Sequence, residues 1–310
     1  MQQKDFQIEF ITPCFCAGAD QTKAEIRASS IRGQLRWWFR ALGGSRDDEA
    51  GVFGSTSGDE GNSSPLVVRV SEFKRGTTWQ PFSMKMGTPG AYLWYYASVS
   101  SEKKRWYNQP PQKNGITPIV NELGHIPPGS TFTLSILWRR AIPEKLMTQF
   151  QFALCAFLHV GSIGLRASRG MGAFLCAEYQ FSQEFNEGLI REIQKQGFEI
   201  KPRKKVWNKW EEAVFDAESW LKGVLRRENS AGKNGGNQTP LGSSSPRQTS
   251  AIYLRPLKLS TGKYSLLLFE APHLRVLNKE SRRSTPVLRN LNLDNDPPEY
   301  TNYAKRRFGR

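Results

Sequence analysis

The chain has 310 residues, and its 44 lysines and arginines against 28 aspartates and glutamates give a formal net charge of +16. Its 38% hydrophobic and 12% aromatic content excludes a disordered chain, and it contains neither an apolar run of membrane-spanning length nor an N-terminal signal core. We therefore expect two globular domains in the cytoplasm, with no membrane contact, and a polyanionic partner. Nucleic acid is favoured over acidic proteins.

Hydrophobic periodicity predicts strands and two long helices in the first 180 residues. The predicted strands cover 6–15, 66–74, 92–99, 131–139 and 173–181. The predicted helices cover 31–42, with Ser30 as N-cap, and 143–160. The segment 45–65 is acidic and rich in glycine and serine, and we interpret it as irregular.

The order strand, helix, strands, helix, strand is that of a split β-α-β unit. The predicted fold class is therefore α+β, with a ferredoxin-like, RRM-related domain over 1–180 that carries insertions between its middle strands. For 181–310 we expect a smaller α+β domain, which could repeat the same fold.

In this second half, helical patterns at 182–196 and 206–227 flank a basic run at 201–205. A polar linker at 229–250 is expected to be mobile. A predicted hairpin follows, formed by 252–258 and 263–269, and the chain ends in a basic segment at 305–310.

The first predicted helix carries the strongest chemical signal. At 100° per residue, Arg32, Arg36 and Arg40 form one stripe beside an apolar face. Guanidinium groups at this spacing repel one another unless an anion lies across them, so we predict contacts to the phosphates of a nucleic acid. Trp37 falls on neither face and is predicted to stack on a base. In the alternative interpretation the helix is solvated and its arginines pair with the acidic residues 47–49.

A second segment, residues 161–172, alternates glycines with arginines, and we call it the Gly/Arg loop. Glycines allow close backbone approach to a polyanion while arginines clamp it. The loop follows a helix and precedes a strand, so it is not a dinucleotide fingerprint. The predicted RNA-contacting residues here are Gly164, Arg166, Ser168, Arg169, Gly170 and Gly172. The alternative is an ordinary glycine-rich connector.

The combination of Gly18-Ala19-Asp20, Ser30 to Leu42, Val52-Phe53-Gly54-Ser55 and the Gly/Arg loop resembles the RAMP superfamily of CRISPR-associated RNA-binding proteins. Within that superfamily it is most similar to the first-numbered RAMP subunit of the Cmr-type, type III-B, effector complex. The resemblance covers about 5–180. It implies ferredoxin-like domains, partnership with CRISPR guide RNA, target RNA and other RAMP subunits, and contacts near the 3′ end of the guide in antiviral defence.

Catalytic groups are sparse. In related backbone subunits a loop aspartate supports metal-dependent RNA cleavage, and Asp20 occupies a comparable loop, but its Gly-Ala-Asp context resembles the noncatalytic subunit. The histidines His125, His159 and His273 are scattered. We therefore predict no enzyme activity, cofactor or metal. A ribonuclease of the same superfamily and a basic scaffold for acidic proteins remain the alternatives.

The four cysteines are too few for a disulfide scaffold. Cys14 and Cys16 form a C-x-C pair with no second pair or histidine nearby to complete a zinc site. We expect all four cysteines to be reduced thiols in the core.

Overall fold

A computed structural model describes residues 2–20, 23–56, 61–77, 93, 124–179, 187–226, 240–244, 247–277 and 286–297. Within these ranges the fold is a mixture of helices and antiparallel sheets. No helix in them combines the length and apolarity that crossing a bilayer requires.

The first half contains a four-stranded antiparallel sheet in the order β2-β3-β1-β4. Its strands are β1 (Gln2–Phe10), β2 (Leu66–Lys74), β3 (Thr131–Trp138) and β4 (Phe174–Cys176). The predictions for β2 and β3 are confirmed. β1 ends earlier than predicted because the chain leaves the sheet after Phe10. The next segment bonds to other loops, with the Cys14 amide donating to the carbonyl of Ile126 at 2.9 Å.

Three helices accompany this sheet: α1 (Ala28–Ala41), α2 (Arg46–Phe53) and α3 (Glu144–Val160). α1 begins earlier than predicted, and its N-cap is Arg27 rather than Ser30, because the Arg27 carbonyl already accepts the amides of Ser30 and Ile31. The predicted glycine stop is confirmed, since Gly43 has φ +99°.

α2 lies in the stretch whose composition predicts irregular structure, so that interpretation is wrong. Ser45 and Asp48 form a capping box, in which the Ser45 hydroxyl accepts from the Asp48 amide at 3.1 Å. This reciprocal cap satisfies two free amides at the start of the helix, and the acidic residues of the first turn stabilise it further through the helix dipole.

The second half contains a three-stranded antiparallel sheet in the order β5-β9-β8, with β5 (Glu199–Pro202), β8 (Ile252–Lys258) and β9 (Tyr264–Glu270). The predicted hairpin is confirmed as β8 and β9. The remaining elements are α4 (Glu187–Lys195), α5 (Trp210–Trp220) with a π-helical continuation (Leu221–Leu225), β6 (Ser243–Ser244), β7 (Arg247–Gln248) and α6 (His273–Leu277). Short 3₁₀ turns cover Ala177–Tyr179 and Val287–Asn290.

The basic run at 201–205 is not simply a solvated stretch between helices. Its first two residues belong to β5, and Arg203 is 1% exposed. The Arg203 guanidinium donates to Asp216 at 3.0 and 3.1 Å, and a further ion pair joins it to Asp296. This part of the positive charge therefore stabilises the fold.

The hydrophobic packing crosses residue 180. The larger core cluster joins α1 and the first sheet to Phe198 and Phe269, and the Trp38 ring stacks on Phe198 with centroids 5.6 Å apart. The smaller cluster contains Phe15 and Met171 of the first half together with residues of the second half. The division at residue 180 stays a prediction, but the two halves share their cores.

Three predicted features lie wholly or mainly outside the described residues. They are the strand near 92–99, most of the linker at 229–250 and the basic segment at 305–310. In the described part of the linker, Leu241 and Ser250 are buried.

Candidate nucleic-acid interface

A groove of about 460 Å³ opens between the start of α1, the segment that follows β1 and the Gly/Arg loop, with Gly124 as a further lining residue. α1 contributes Ser30, Gly33 and Gln34, and the Gly/Arg loop contributes Gly164 and Leu165. The Gly/Arg loop therefore lies beside the first turns of α1.

Backbone contacts hold the Gly/Arg loop against the segment after β1. The Leu165 amide donates to the Phe15 carbonyl at 2.8 Å, and the Gly172 amide donates to the Pro13 carbonyl at 2.8 Å. Gly164 has φ +91°, and a Cβ there would lie 2.7 Å from the Phe15 carbonyl oxygen. Glycine is required at this position by both its conformation and its close packing.

Gly170 and Gly172 have comparable structural reasons for being glycine. Both are buried and have positive φ, and the Gly170 carbonyl accepts the Thr12 hydroxyl at 2.8 Å. A Cβ at Gly172 would lie 1.7 Å from the Ile163 carbonyl oxygen. These glycines permit close approach of protein backbone to protein backbone, whereas the motif alone predicts close approach to RNA.

The arginine stripe of α1 packs against α2. Glu49, which is 5% exposed, accepts a 2.6 Å hydrogen bond from Nε of Arg36 and forms a 3.5 Å ion pair with Arg40. Arg32 donates to the carbonyls of Phe53 and Leu66. The carboxylate of Glu49 therefore supplies an anion to two of the three arginines of the stripe, in agreement with the alternative interpretation. Contact of these arginines with RNA stays a prediction.

The stripe nevertheless remains accessible at one end. The side chains of Arg36 and Arg40 are 44% and 48% exposed, so each presents part of its guanidinium to solvent beside the buried carboxylate. Arg32 is half-buried, and desolvation followed by the charge of Arg36 lowers its pKa. An incoming phosphate would reach Arg36 and Arg40 more readily than Arg32.

Trp37 lies on a third face of α1, as predicted, and its ring is half-buried against protein. The ring contacts Trp38 edge-on at 5.1 Å and Tyr253 of β8 at 5.3 Å. It therefore packs against the second half of the molecule, and its contact with a base stays a prediction.

Arg169 is 9% exposed and acts between the two halves of the chain. Its guanidinium donates to the carbonyls of Leu241 at 2.6 Å and Ile252 at 3.3 Å, and to the Ser250 hydroxyl at 3.3 Å. Beside it, the Ser168 carbonyl accepts the Leu254 amide at 3.3 Å. The structure thus gives the Arg169 side chain and the Ser168 carbonyl internal partners, and contact of these two residues with RNA stays a prediction.

Arg255 makes the reciprocal contact from β8. Its guanidinium donates to the Gly161 carbonyl at 2.7 Å and also to the Phe174 carbonyl, and these two carbonyls flank the Gly/Arg loop. Complete burial lowers the pKa of Arg255 to about 9. Sequence reasoning missed this residue, because nothing in a strand pattern marks a buried arginine.

Arg166 has a left-handed conformation with φ +63°, and its Nε donates to the Leu93 carbonyl at 2.9 Å. It is half-buried and adjoins Leu165, whose side chain is 55% exposed at the groove. Of the arginines in the Gly/Arg loop, Arg166 is the one with accessible surface, and its contact with RNA stays a prediction.

None of the described residues that line the groove is an acid, a lysine or an arginine. The Glu25 carboxylate lies against Gly18 in the groove wall, so one negative charge adjoins the groove. Cys16 lies at its wall with its Sγ atom 3.4 Å from that of Cys14, and all four cysteines are free thiols. Burial raises the pKa of Cys14, while the hydrogen bond from Cys14 lowers the pKa of Cys16. Cys155 is only half-buried, so the expectation of four core thiols is wrong for that residue.

The histidines contact different parts of the protein, as the sequence predicts. His159 is buried with Nδ1 2.8 Å from the Cys155 carbonyl oxygen, and desolvation lowers its pKa. His273 lies 2.5 Å from Glu270. Asp20 forms a 3.6 Å ion pair with Lys23. Among the described residues, no three metal-binding side chains come together.

Sequence reasoning also missed Gln34, Gly33 and Leu165 as lining residues of the groove. The helical wheel contained a signal, because Ser30, Gly33 and Gln34 share the face of α1 that is neither apolar nor basic. Without the partner segment from after β1, that face could not be recognised as one wall of a groove.

Comparison with known proteins agrees with the motifs. Residues 7–175 match the model of the RAMP superfamily. The CRISPR system Cmr subunit Cmr1-2 of Pyrococcus furiosus is 29% identical over 188 residues, covering 56% of this chain and 94% of that protein. The subunit Cmr1-1 of the same organism is 26% identical over 310 residues, covering 92% of this chain and 81% of the relative.

Solved structures show the same fold. The apo crystal structure of Cmr1 from Pyrococcus furiosus superposes with a TM-score of 0.56 at 22% identity, covering 93% of this chain and 92% of that chain. A chain of the type III-B Cmr-beta complex bound to cognate target RNA gives a TM-score of 0.53 at 11% identity, covering 86% and 94%. Because the family model matches more than half of the sequence, this chain belongs to the RAMP superfamily.

Proposed function

We propose that the protein is a noncatalytic RNA-binding subunit of a type III-B CRISPR effector complex. It contacts the guide RNA near its 3′ end, the target RNA, or both, and it assembles with other RAMP subunits. The observation that carries the proposal is the meeting of the α1 N-terminus and the Gly/Arg loop along one groove, in a chain of net charge +16. The names of its relatives, which are Cmr subunits, support the same assignment.

We infer that the first half is a ferredoxin-like, RRM-related domain. The support is its strand order, which is β4-β1-β3-β2 when it is read from the other edge of the sheet. Helices lie on the connection from β1 to β2 and on the connection from β3 to β4, as in a split β-α-β unit. RNA binding by aromatic stacking on the sheet is not favoured here. Phe6 and Phe10 of β1 are buried, and the alternate residues Gln3, Asp5 and Gln7 are exposed and polar.

Arg36 and Arg40 are the stripe arginines that we assign to phosphate contacts, since both remain accessible beside Glu49. Contacts to phosphate hold an RNA whatever its sequence, which is what a guide-binding subunit requires. Arg32 is assigned a structural role, because its head group is directed to backbone carbonyls.

We propose a noncatalytic role because the Gly18-Ala19-Asp20 context resembles the noncatalytic subunit. In the structure the Asp20 carboxylate forms an ion pair with Lys23. Retention of target-RNA cleavage by the assembled complex carrying Asp20→Ala is the expected result, and loss of that cleavage would favour the ribonuclease alternative.

The binding proposal is tested by measuring the affinity of the full chain for unrelated single-stranded RNAs at several salt concentrations. Arg36→Ala and Arg40→Ala should weaken binding to all of them alike and reduce the salt slope by about 0.7 for each phosphate that is no longer neutralised. Arg191→Ala is the matched control, since Arg191 is an exposed helical arginine paired with Glu187 on α4. Absence of RNA binding by the unmodified chain would favour the scaffold alternative.

A further inference from the structure

The groove has the chemistry of a site for a nucleobase rather than for a phosphate. Its volume of about 460 Å³ lies in the range of roughly 300–1,000 Å³ that is typical of small-molecule sites. Its described lining is uncharged and consists of apolar side chains, glycine backbone and the two polar side chains Ser30 and Gln34. A phosphate is usually held by cationic side chains, whereas an unstacked base prefers an apolar surface with a few hydrogen-bonding groups.

The two polar side chains are available for a ligand. Neither the Gln34 amide nor the Ser30 hydroxyl has a hydrogen-bond partner among the residues that the structure describes. An unpaired glutamine amide can present a donor and an acceptor together to the edge of a base. Gln34 is therefore placed to read a base edge at the groove wall.

Gly33 keeps the groove open. It lies inside α1, where glycine costs about 1 kcal/mol of helix stability relative to alanine. A Cβ at this position would meet nothing within 4 Å, and its φ is not in the left-handed region, so neither packing nor backbone conformation requires glycine. The side chain that is missing would project into the space beside Ser30 and Gln34.

Leu165 forms the opposite lip of the groove. Its side chain is 55% exposed although its backbone is held by the hydrogen bond to Phe15 and lies between Gly164 and Arg166, both at positive φ. Exposed leucines on a rigid backbone are used elsewhere as wedges that separate stacked bases. Outside the groove, Arg27 at the N-cap of α1 and Glu25 beside Gly18 are both exposed, so the rim carries charges of both signs.

We propose that this groove holds one unstacked base of a single-stranded RNA, with Leu165 separating it from its neighbour and Gln34 contacting its edge. The inference rests on the RNA-binding role proposed above and adds a ligand class to it. The match is one of polarity, because a neutral base fits a lining that is apolar apart from Ser30 and Gln34, whereas a phosphate would be repelled by the Glu25 carboxylate beside Gly18.

The test compares two probes of equal length and charge, an oligouridine strand and a ribose-phosphate strand that lacks bases. The unmodified full chain should bind the base-bearing strand about 10-fold more tightly, which corresponds to about 1.4 kcal/mol. Gly33→Leu should remove most of this preference while leaving affinity for the strand without bases unchanged. Ser29→Leu, an exposed position on the same helix, is the matched control and should keep the preference.

A second measurement places a single 2-aminopurine in the oligouridine strand. Its fluorescence should rise on binding to the unmodified chain, because the base leaves the stack, and should not rise with Gly33→Leu or Leu165→Ala. Equal affinity of the unmodified chain for the two strands, or a preference that survives in Gly33→Leu, would overturn the base site and leave the RNA-binding role intact. Failure to bind either strand would overturn both.

Discussion

The arginines of the two motifs look alike in sequence and differ in what they contact. Arg36 and Arg40 share the carboxylate of Glu49 and remain half exposed on α1. Arg169 and its counterpart on β8, Arg255, are buried between the halves of the chain, where their contacts are mainly to backbone carbonyls. The difference teaches that a buried guanidinium with several donors can connect loops within a protein, so an arginine in a motif need not be directed at RNA.

The contrast between buried and exposed arginines is tested most severely at Arg255. Arg255→Met should lower the free energy of unfolding by about 4 kcal/mol, because it leaves the buried carbonyls of Gly161 and Phe174 without donors at about 1–3 kcal/mol each. Urea denaturation measures the change. A decrease below about 1 kcal/mol would mean that these carbonyls are readily hydrated and that Arg255 does not connect the halves.

Arg169 should show a smaller effect of the same kind. Arg169→Met is expected to lower the free energy of unfolding by about 2 kcal/mol, because its 9% exposure allows water to replace part of its contacts. The same denaturation experiment applies, with Arg191→Met as the exposed control. Reduced RNA affinity with unchanged stability would instead place Arg169 in the RNA contact that the sequence predicts.

A substitution of Glu49 tests the role of the exposed arginines Arg36 and Arg40. Glu49→Gln removes the internal anion from Arg36 and Arg40, so RNA affinity should increase about 3-fold while stability falls by about 1 kcal/mol. Filter binding at low salt and urea denaturation measure the two effects. A decrease in affinity would show that the carboxylate positions the arginines for RNA rather than competing with it.

The smallest effect concerns cooperation between the two motifs. Single and double substitutions of Arg36 and Arg166 should be nonadditive in RNA-binding free energy by about 0.5 kcal/mol if both contact one strand. Strict additivity would separate the stripe from the groove as two independent basic surfaces.

Local patterns predicted β2, β3 and the long apolar helix α3. The sequence of β3 alternates over most of its length, but the structure buries nearly all of its residues. α2 was missed because its capping box was outweighed by its acidic composition. The composition of the motifs also identified the family correctly, since their joint occurrence is specific even though each motif alone is not.

The site was harder to predict, because its properties arise from segments that are distant in sequence. Nothing near Arg169 indicates that the carbonyls of Leu241 and Ile252 will surround it. Likewise, Trp37 could be assigned to a third face of α1, but the sequence did not show that Tyr253 covers that face. Burial by a partner element decides these roles, and helical periodicity carries no information about it.

The core shared across residue 180 has a consequence for synthesis of the chain. When the first half has left the ribosome, Trp38 still lacks Phe198 and Phe269, and the ring of Phe15 lacks most of its cluster. Translation at roughly 5–20 residues per second adds the next 90 or so residues in about 5–20 s. During that interval the nascent first half exposes apolar surface that its own residues cannot cover, so we expect it to depend on chaperones until β9 is complete.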